Sequence, residues 1–381
     1  MIKFADPDIS WQECKAVRKT LKSGWITTGE KSQTFEEEVG KFIGSKYNIA
    51  VSSCTAAVHL CLKVLGVEEG DEIITSPMTF VSTINVIEHC GAKPVFVDIE
   101  KNTLNICTNG IIDSITSKTK AIIVTHYAGQ PCDMDKINDI SKKYNIPVIE
   151  DAAHAFGAKY DGKYIGNTNN LVCFSFYATK NITTGEGGMI CTNDSKYVEK
   201  LKTLRLHGMS KDAWKRYSLK GTPKYDVECP GFKYNLMDIS AAMGIEQLKK
   251  INKFSNKRKN LVNEYLTEIR KNQLLCECLT IKDNRESSNY LFTVLLDKKF
   301  DRDYVIEKLK EKKICTSILF VPVNKFTYYK MQYRDIETIL SNVEEVENRI
   351  LCLPLHTKMR KKDVRYVVRK LKEVMSECCY Q

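Results

Sequence analysis

The sequence predicts an α/β protein, with a large unit built on a mainly parallel sheet between helices and a smaller α+β unit after it. Three observations carry this expectation. The 381 residues exceed what one hydrophobic core organises, so two domains are expected. Between about residues 48 and 195, short apolar runs alternate with polar segments of helical period. After about residue 250 a long charged helical stretch takes over.

In chain order, the runs NIAVS, DEIITS, KPVFVDI, KAIIVTH, IPVIEDA and LVCFSFY are short, rich in β-branched or aromatic residues, and apolar on both faces. Strands buried in a parallel sheet have that character. Thr55 to Leu65 and Met134 to Tyr144 lie between them and are long enough to be crossover helices. The pattern predicts a sheet covered on both sides. In such sheets ligands sit beyond the carboxyl ends of the strands, so the residues ending these runs are where chemistry is expected. Further on come the helical KKINKFSNKRKNLVNEYLTEIRK, then YLFTVLL, a helix around Asp303 to Lys313, and TSILFVPV. The expected division is a large domain over 1–249 and a small one over 250–381, with the N-terminal segment free to pack on the latter. No internal repeat, low-complexity tract or flexible linker interrupts the chain.

Composition narrows the function classes. Hydrophobic residues at 43% and charged residues at 28% are those of an ordinary globular protein. The most apolar stretch, Ile49 to Val67, is broken by Ser52, Ser53, His59 and Lys63, so no membrane span is expected. The opening MIKFADPDIS puts Asp6 and Asp8 where a signal peptide needs an apolar run, and a cytoplasmic location is expected. The 15 cysteines are scattered, and the pairs Cys276/Cys278 and Cys378/Cys379 lack zinc-ligand spacing. They read as reduced thiols, with no metal site. A net charge of +11 favours an anionic partner, but the surplus is spread and includes mixed-sign runs such as KLKEKK. A phosphorylated small molecule suits that distribution, and nucleic acid is not expected.

Ser52-Ser53-Cys54-Thr55-Ala56-Ala57 follows the first strand and leads into a helix. Backbone N–H groups and hydroxyls at a helix start can hold a phosphate, although such a run more often only caps the helix. Asp151 ends IPVIED, and Lys180 ends LVCFSFYATK, both at the edge where a ligand would sit. A lysine there can form an imine with an aldehyde cofactor, and a carboxylate can hold a pyridine nitrogen protonated. Taken singly, Asp151 could cap a helix and Lys180 could be a solvated loop residue. What overturns the plain reading is the string FSFYATKNITTGEGGMI around Lys180, in which Gly185, Gly187 and Gly188 permit a tight turn behind the lysine.

That string, together with GWITTGEKSQTFE, SSCTAAVHL, SPMTFVSTINVI, GAKPVFVDI, HYAGQPCDM, VIEDAAHAFGA, GFKYNLMDISAAMGIEQL and ILCLPLH, resembles the DegT-type (DegT/DnrJ) sugar-nucleotide aminotransferases from about Trp25 to the end. The resemblance implies the fold type I architecture of aspartate aminotransferase, and pyridoxal 5′-phosphate (PLP) as cofactor, alternating with pyridoxamine 5′-phosphate. It implies Lys180 as the Schiff-base lysine and proton shuttle, Asp151 as partner of the pyridine nitrogen, and His154 at the ring hydroxyl oxygen. Phe80 would lie against the ring. Thr55, Ala56 and Ser175 would cradle the phosphate, and Asn235 would reach it from a neighbouring subunit, so a homodimer with shared sites is implied. Trp25, Thr28, Phe232 and Leu319 would meet the sugar nucleotide.

The basic, aromatic segment Arg205 to Phe232 holds Lys211, Lys215, Arg216, Tyr217, Lys220 and Lys224. Cation and ring side chains together suit a nucleoside diphosphate, and an exposed basic loop is the plain alternative. For Lys215, Arg216 and Tyr217 substrate contact is expected. The sequence departs from the family at Leu319-Phe320-Val321-Pro322-Val323-Asn324, where many relatives carry His-Phe-x-Pro-x-His lining the sugar pocket. By resemblance the amino donor is glutamate, and the strings KDAWKRYS and PGFKYN are similar to those of relatives aminating C4 of UDP-linked 4-keto-6-deoxy sugars. A 3-keto sugar nucleotide or a cyclitol ketone stays open as acceptor. A sugar dehydratase of the family would carry histidine in place of Lys180, and a non-catalytic regulatory protein on the same fold would have lost Lys180 or Asp151.

Overall fold

The computed structural model describes residues 1–209, 226–333 and 340–378. Its largest element is a seven-stranded sheet formed by β1 (Tyr47–Val51), β2 (Glu72–Thr75), β3 (Lys93–Phe96), β4 (Thr119–Thr125), β5 (Val148–Asp151), β8 (Leu171–Ser175) and β9 (Gly188–Thr192). The short strands β6 (Lys159–Tyr160) and β7 (Lys163–Tyr164) intervene in the chain and pair with each other, and β6 pairs on its other side with β11 (Arg285–Glu286). The order across the large sheet is β1-β9-β8-β5-β4-β2-β3. Only β9 runs against the others, pairing antiparallel with both β8 and β1. A strand starting at a glycine run reads as a turn in sequence, which is why β9 is absent from the runs that predict the sheet.

Helices cover both faces, and the strands are apolar on both sides for that reason. Ala121 and Ile123 of β4 pack into one core with the helix Cys54–Val64, while Ile122 and Val124 pack into another with the helix Met134–Tyr144. Burying each such Ile or Leu is worth about 1.5–3 kcal/mol. Ser53 starts the first of these helices by accepting a hydrogen bond from the Ala56 N–H at 3.1 Å. Asn145 ends the second in the left-handed conformation, with φ 54°.

The C-terminal part has its own sheet, β10 (Cys276–Cys278), β12 (Phe292–Leu296) and β13 (Ile350–Leu353), with β12 central. The helices Ile251–Lys271 and Lys361–Cys378 close a separate core over it, including Tyr265, Val294, Leu351 and Val368. The N-terminal segment reaches this part, because Ile2 bridges Ile314. The run TSILFVPV is apolar enough for a strand, yet only Ser317 pairs, with Cys352. Phe320 and Val323 instead join the core of the large sheet, and the Val323 N–H donates to the Pro77 carbonyl at 2.9 Å. Among the described residues no helix is long and apolar enough to cross a membrane.

Candidate active site

The carboxyl ends of β4, β5 and β8 open onto a cavity of about 480 Å³. Asp151 and Lys180 both line it, and so do Thr55, Phe80, His154, Ser175 and Leu319. Asp151 is the last residue of β5 and is buried. Its Oδ1 accepts the Ala153 N–H at 3.1 Å, and its Oδ2 accepts the Thr83 hydroxyl at 2.8 Å. Lys180 follows β8 in a turn closed by its own N–H donating to the Tyr177 carbonyl. Its Nζ sits 4.4 Å from the centre of the Tyr290 ring, a contact that holds a cation in place.

His154 lies three residues beyond Asp151, between two rings. Its imidazole is 4.3 Å from Tyr290 and stacks on Phe320 at 5.2 Å. Burial, assisted by the Lys180 charge, pushes its pKa well below the ordinary 6.5, so the ring is neutral. Its Nδ1 is buried without a hydrogen-bond partner. The Cys54 thiol, which also lines the cavity, is pushed well above its ordinary range by burial and by the Asp151 charge.

One end of the cavity is the start of the helix Cys54–Val64, with Ser53, Thr55, Ser175 and Gly187 in its wall. The Ala56 N–H is engaged by the Ser53 hydroxyl as the helix cap. Ser175 Oγ accepts the Tyr177 N–H at 3.3 Å, which leaves its own proton to donate inward. The glycines behind the lysine have separate uses. Gly185 takes φ 79°, and a Cβ at Gly188 would stand 2.6 Å from the Ser53 carbonyl, so β9 can pass the helix start only without a side chain.

The structure does not bring every candidate to this wall. Trp25, Thr28 and Asn235 form a group of their own, in which Trp25 Nε1 donates to the Thr28 carbonyl at 3.1 Å and Asn235 Nδ2 donates to Thr28 Oγ1. Asn235 also bridges Val51. Phe232 stacks on Tyr234 and lies against His59. Lys215, Arg216 and Tyr217, with the neighbouring Lys211, Lys220 and Lys224, lie outside the described residues. Leu319 does face the cavity, and its carbonyl accepts the Tyr127 hydroxyl.

Sequence reasoning missed Tyr290, Phe320, Thr83 and Thr125, all of which line the cavity. Phe320 lies within the departing Leu319–Asn324 motif and Thr83 lies within MTFVST, so both were within reach. Tyr290 opens a strand-like run and carries no local signal, since only the packing of the C-terminal part against β5 brings it to Lys180.

A sequence profile of the DegT/DnrJ/EryC1/StrS aminotransferase family matches residues 7–372. The MJ1066 protein of Methanocaldococcus jannaschii is 46% identical over 375 residues, covering 97% of each chain. Spore coat polysaccharide biosynthesis protein SpsC of Bacillus subtilis is 41% identical over 378 residues, covering 98% of this chain and 97% of its own. Among solved structures, Spr1654 of Streptococcus pneumoniae, described as a candidate sugar aminotransferase, superimposes in its PMP form with a TM-score of 0.91 at 31% identity, covering 99% of this chain and 100% of its own. It has also been solved in a PLP form. PseC of Helicobacter pylori, an aminotransferase of pseudoaminic acid biosynthesis, reaches a TM-score of 0.91 at 29% identity, covering 99% of both chains. A lysine and a carboxylate line one cavity at the strand ends of a seven-stranded mixed sheet, and profile and relatives span nearly all of the sequence, so this chain belongs to the DegT/DnrJ/EryC1/StrS aminotransferase family.

Proposed function

We propose that this protein is a PLP-dependent aminotransferase that moves an amino group from glutamate to C4 of a UDP-linked 4-keto-6-deoxy sugar, in the making of a surface glycan or amino sugar. The observation that carries the chemistry is the shared cavity of Lys180 and Asp151. The cavity suits the cofactor on its own terms. His154 presents a buried nitrogen without a partner, the helix start offers hydroxyls at one end, and Phe80, 55% exposed, is an aromatic face free to cover a ring. Bound PLP supplies an aldehyde that takes up amines and a ring that withdraws electrons.

The chain's own residues do the rest. Lys180 is the amine in the cavity wall, so Nζ holds the cofactor between turnovers and carries the proton at the reacting carbon in each half of the reaction. Asp151 keeps a proton on the ring nitrogen, a role for which a buried carboxylate on the end of a rigid strand is well placed. His154, neutral, donates to the ring oxygen. Thr55 and Ser175 take the phosphate, with Asn235 added from a second copy of the chain in a homodimer. Trp25, Thr28 and Phe232 lie away from the cavity of their own chain, an arrangement in keeping with sites completed across that dimer.

The acceptor is supported by the strings KDAWKRYS and PGFKYN, and the part in amino-sugar making by the similarity to PseC, an aminotransferase of pseudoaminic acid biosynthesis. The test is to incubate the purified protein with glutamate and a panel of nucleotide-linked 3-keto and 4-keto sugars, and to identify products by mass and NMR. Amination at C4 of the UDP-linked 4-keto-6-deoxy sugar is expected, and a product only from a 3-keto sugar would redirect the acceptor assignment. The holoprotein should be yellow and Lys180→Ala colourless. A wild-type protein that never takes up PLP would refute the enzyme reading altogether.

A further inference from the structure

We propose that Thr83 is a positioning residue for Asp151, standing at the head of a one-way chain of hydroxyls that runs from Thr125 through Thr79. The inference rests on the reading that Asp151 serves a ring nitrogen, and it adds residues which that reading does not require. Thr125 Oγ1 lies 2.9 Å from Thr79 Oγ1, Thr79 Oγ1 lies 3.2 Å from Thr83 Oγ1, and Thr83 Oγ1 lies 2.8 Å from Asp151 Oδ2. All three threonines are buried.

The direction of the chain follows from the acid at its end. An ionised carboxylate only accepts, so the Thr83 proton points at Asp151. Thr83 can then only accept from Thr79, and Thr79 only from Thr125. Each link leaves the next oxygen more willing to donate, since hydrogen bonds in series polarise one another. The chain ties three elements together: Thr125 ends β4, Thr83 lies in the first turn of the helix Val81–His89, and Asp151 ends β5. With Oδ2 held by Thr83 and Oδ1 by the Ala153 N–H, the carboxylate is fixed in rotation and its remaining lone pairs are left for the cavity it lines.

A merely structural role would have the hydroxyls satisfy one another without affecting what Asp151 binds. The two are separated by comparing Thr83→Val, which keeps the shape and removes the donor, with Thr83→Ser, which restores the donor. PLP affinity, the pH at which the visible band of the holoprotein changes, and the thermal midpoint are read for each. Thr83→Val is expected to weaken PLP binding about tenfold and to move the band's pH midpoint, as loss of one bond to a charged group should. Thr83→Ser should recover both. Thr79→Val should act in the same direction but more weakly, and the Thr79→Val/Thr83→Val double mutant should equal Thr83→Val alone, because Thr79 acts only through Thr83. Native affinity and band titration in Thr83→Val, no recovery with Ser, or additive effects in the double mutant would each overturn the relay. Should Thr83→Val fail to fold, Thr79→Val carries the test through the same band. A wild-type protein that binds no PLP would instead strike at the proposed function.

Discussion

A carboxylate withdrawn from water is costly unless donors converge on it, and at Asp151 a hydroxyl and a backbone N–H do so. Asp151→Asn keeps the shape and removes the charge. It should leave the thermal midpoint near that of the wild type while lowering transamination by about a hundredfold or more, the scale of losing one preorganised electrostatic partner. Steady-state rates beside a melting curve check this, and unchanged turnover would exclude the assigned role. The buried histidines predict a pH dependence of stability. Burial first, then the His89 and Lys63 charges, push His59 down to about 4 from the ordinary 6.5. His154 is depressed in the same sense. A depressed folded-state value means that the unfolded chain binds protons first. Stability is therefore intact above about pH 6.5 and falls as pH drops from there toward 4. Denaturant titrations across that range should show the decline, and His59→Gln should flatten it.

At the scale of elements, the site depends on how closely β9 and the lysine turn pass their neighbours. Gly188→Ala would put a methyl group 2.6 Å from the Ser53 backbone. Overpacking against main chain costs about 1–3 kcal/mol, and since the yielding atoms begin the helix proposed to take the phosphate, PLP affinity should fall along with the melting temperature. A small polar cavity on the far side of Lys180 joins the lysine turn, the helix Ile251–Lys271 and the segment after β13. It is lined by Asn181, Arg258 and His356, whose Oδ1, Nε and two ring nitrogens are buried without partners. These atoms include both donors and acceptors, a set that an anion could not satisfy and a water can. A crystal structure at high resolution should show ordered water between Arg258 and Asn181; a dry gap there would contradict it. The segment around Leu319, where the sequence departs from the family motif, also takes its place at this scale. The segment abandons strand pairing so that Leu319 and Phe320 can form cavity wall, with Phe320 stacked on His154.

For the whole molecule, the separation of Trp25, Thr28 and Asn235 from the cavity of their own chain makes subunit sharing testable. Lys180→Ala and Asn235→Ala, each inactive alone, should regain activity when mixed and allowed to exchange, because some sites then draw both native residues from different chains. Sedimentation showing only monomer, or no recovery after exchange, would refute shared sites.

The sequence by itself determined the α/β class, the family, and the strand-end positions of the two residues proposed to carry the chemistry. Strands apolar on both faces, and a lysine and an aspartate at strand ends, are local patterns that survive without coordinates. It did not disclose β9, whose glycine start imitates a turn, nor Tyr290, whose place beside Lys180 depends on how the C-terminal part packs. Which hydroxyl meets Asp151, and which candidates share a wall, were decided only by the tertiary structure. Those are contacts between residues far apart in the chain, set by the packing of whole elements, and no periodicity or spacing records them.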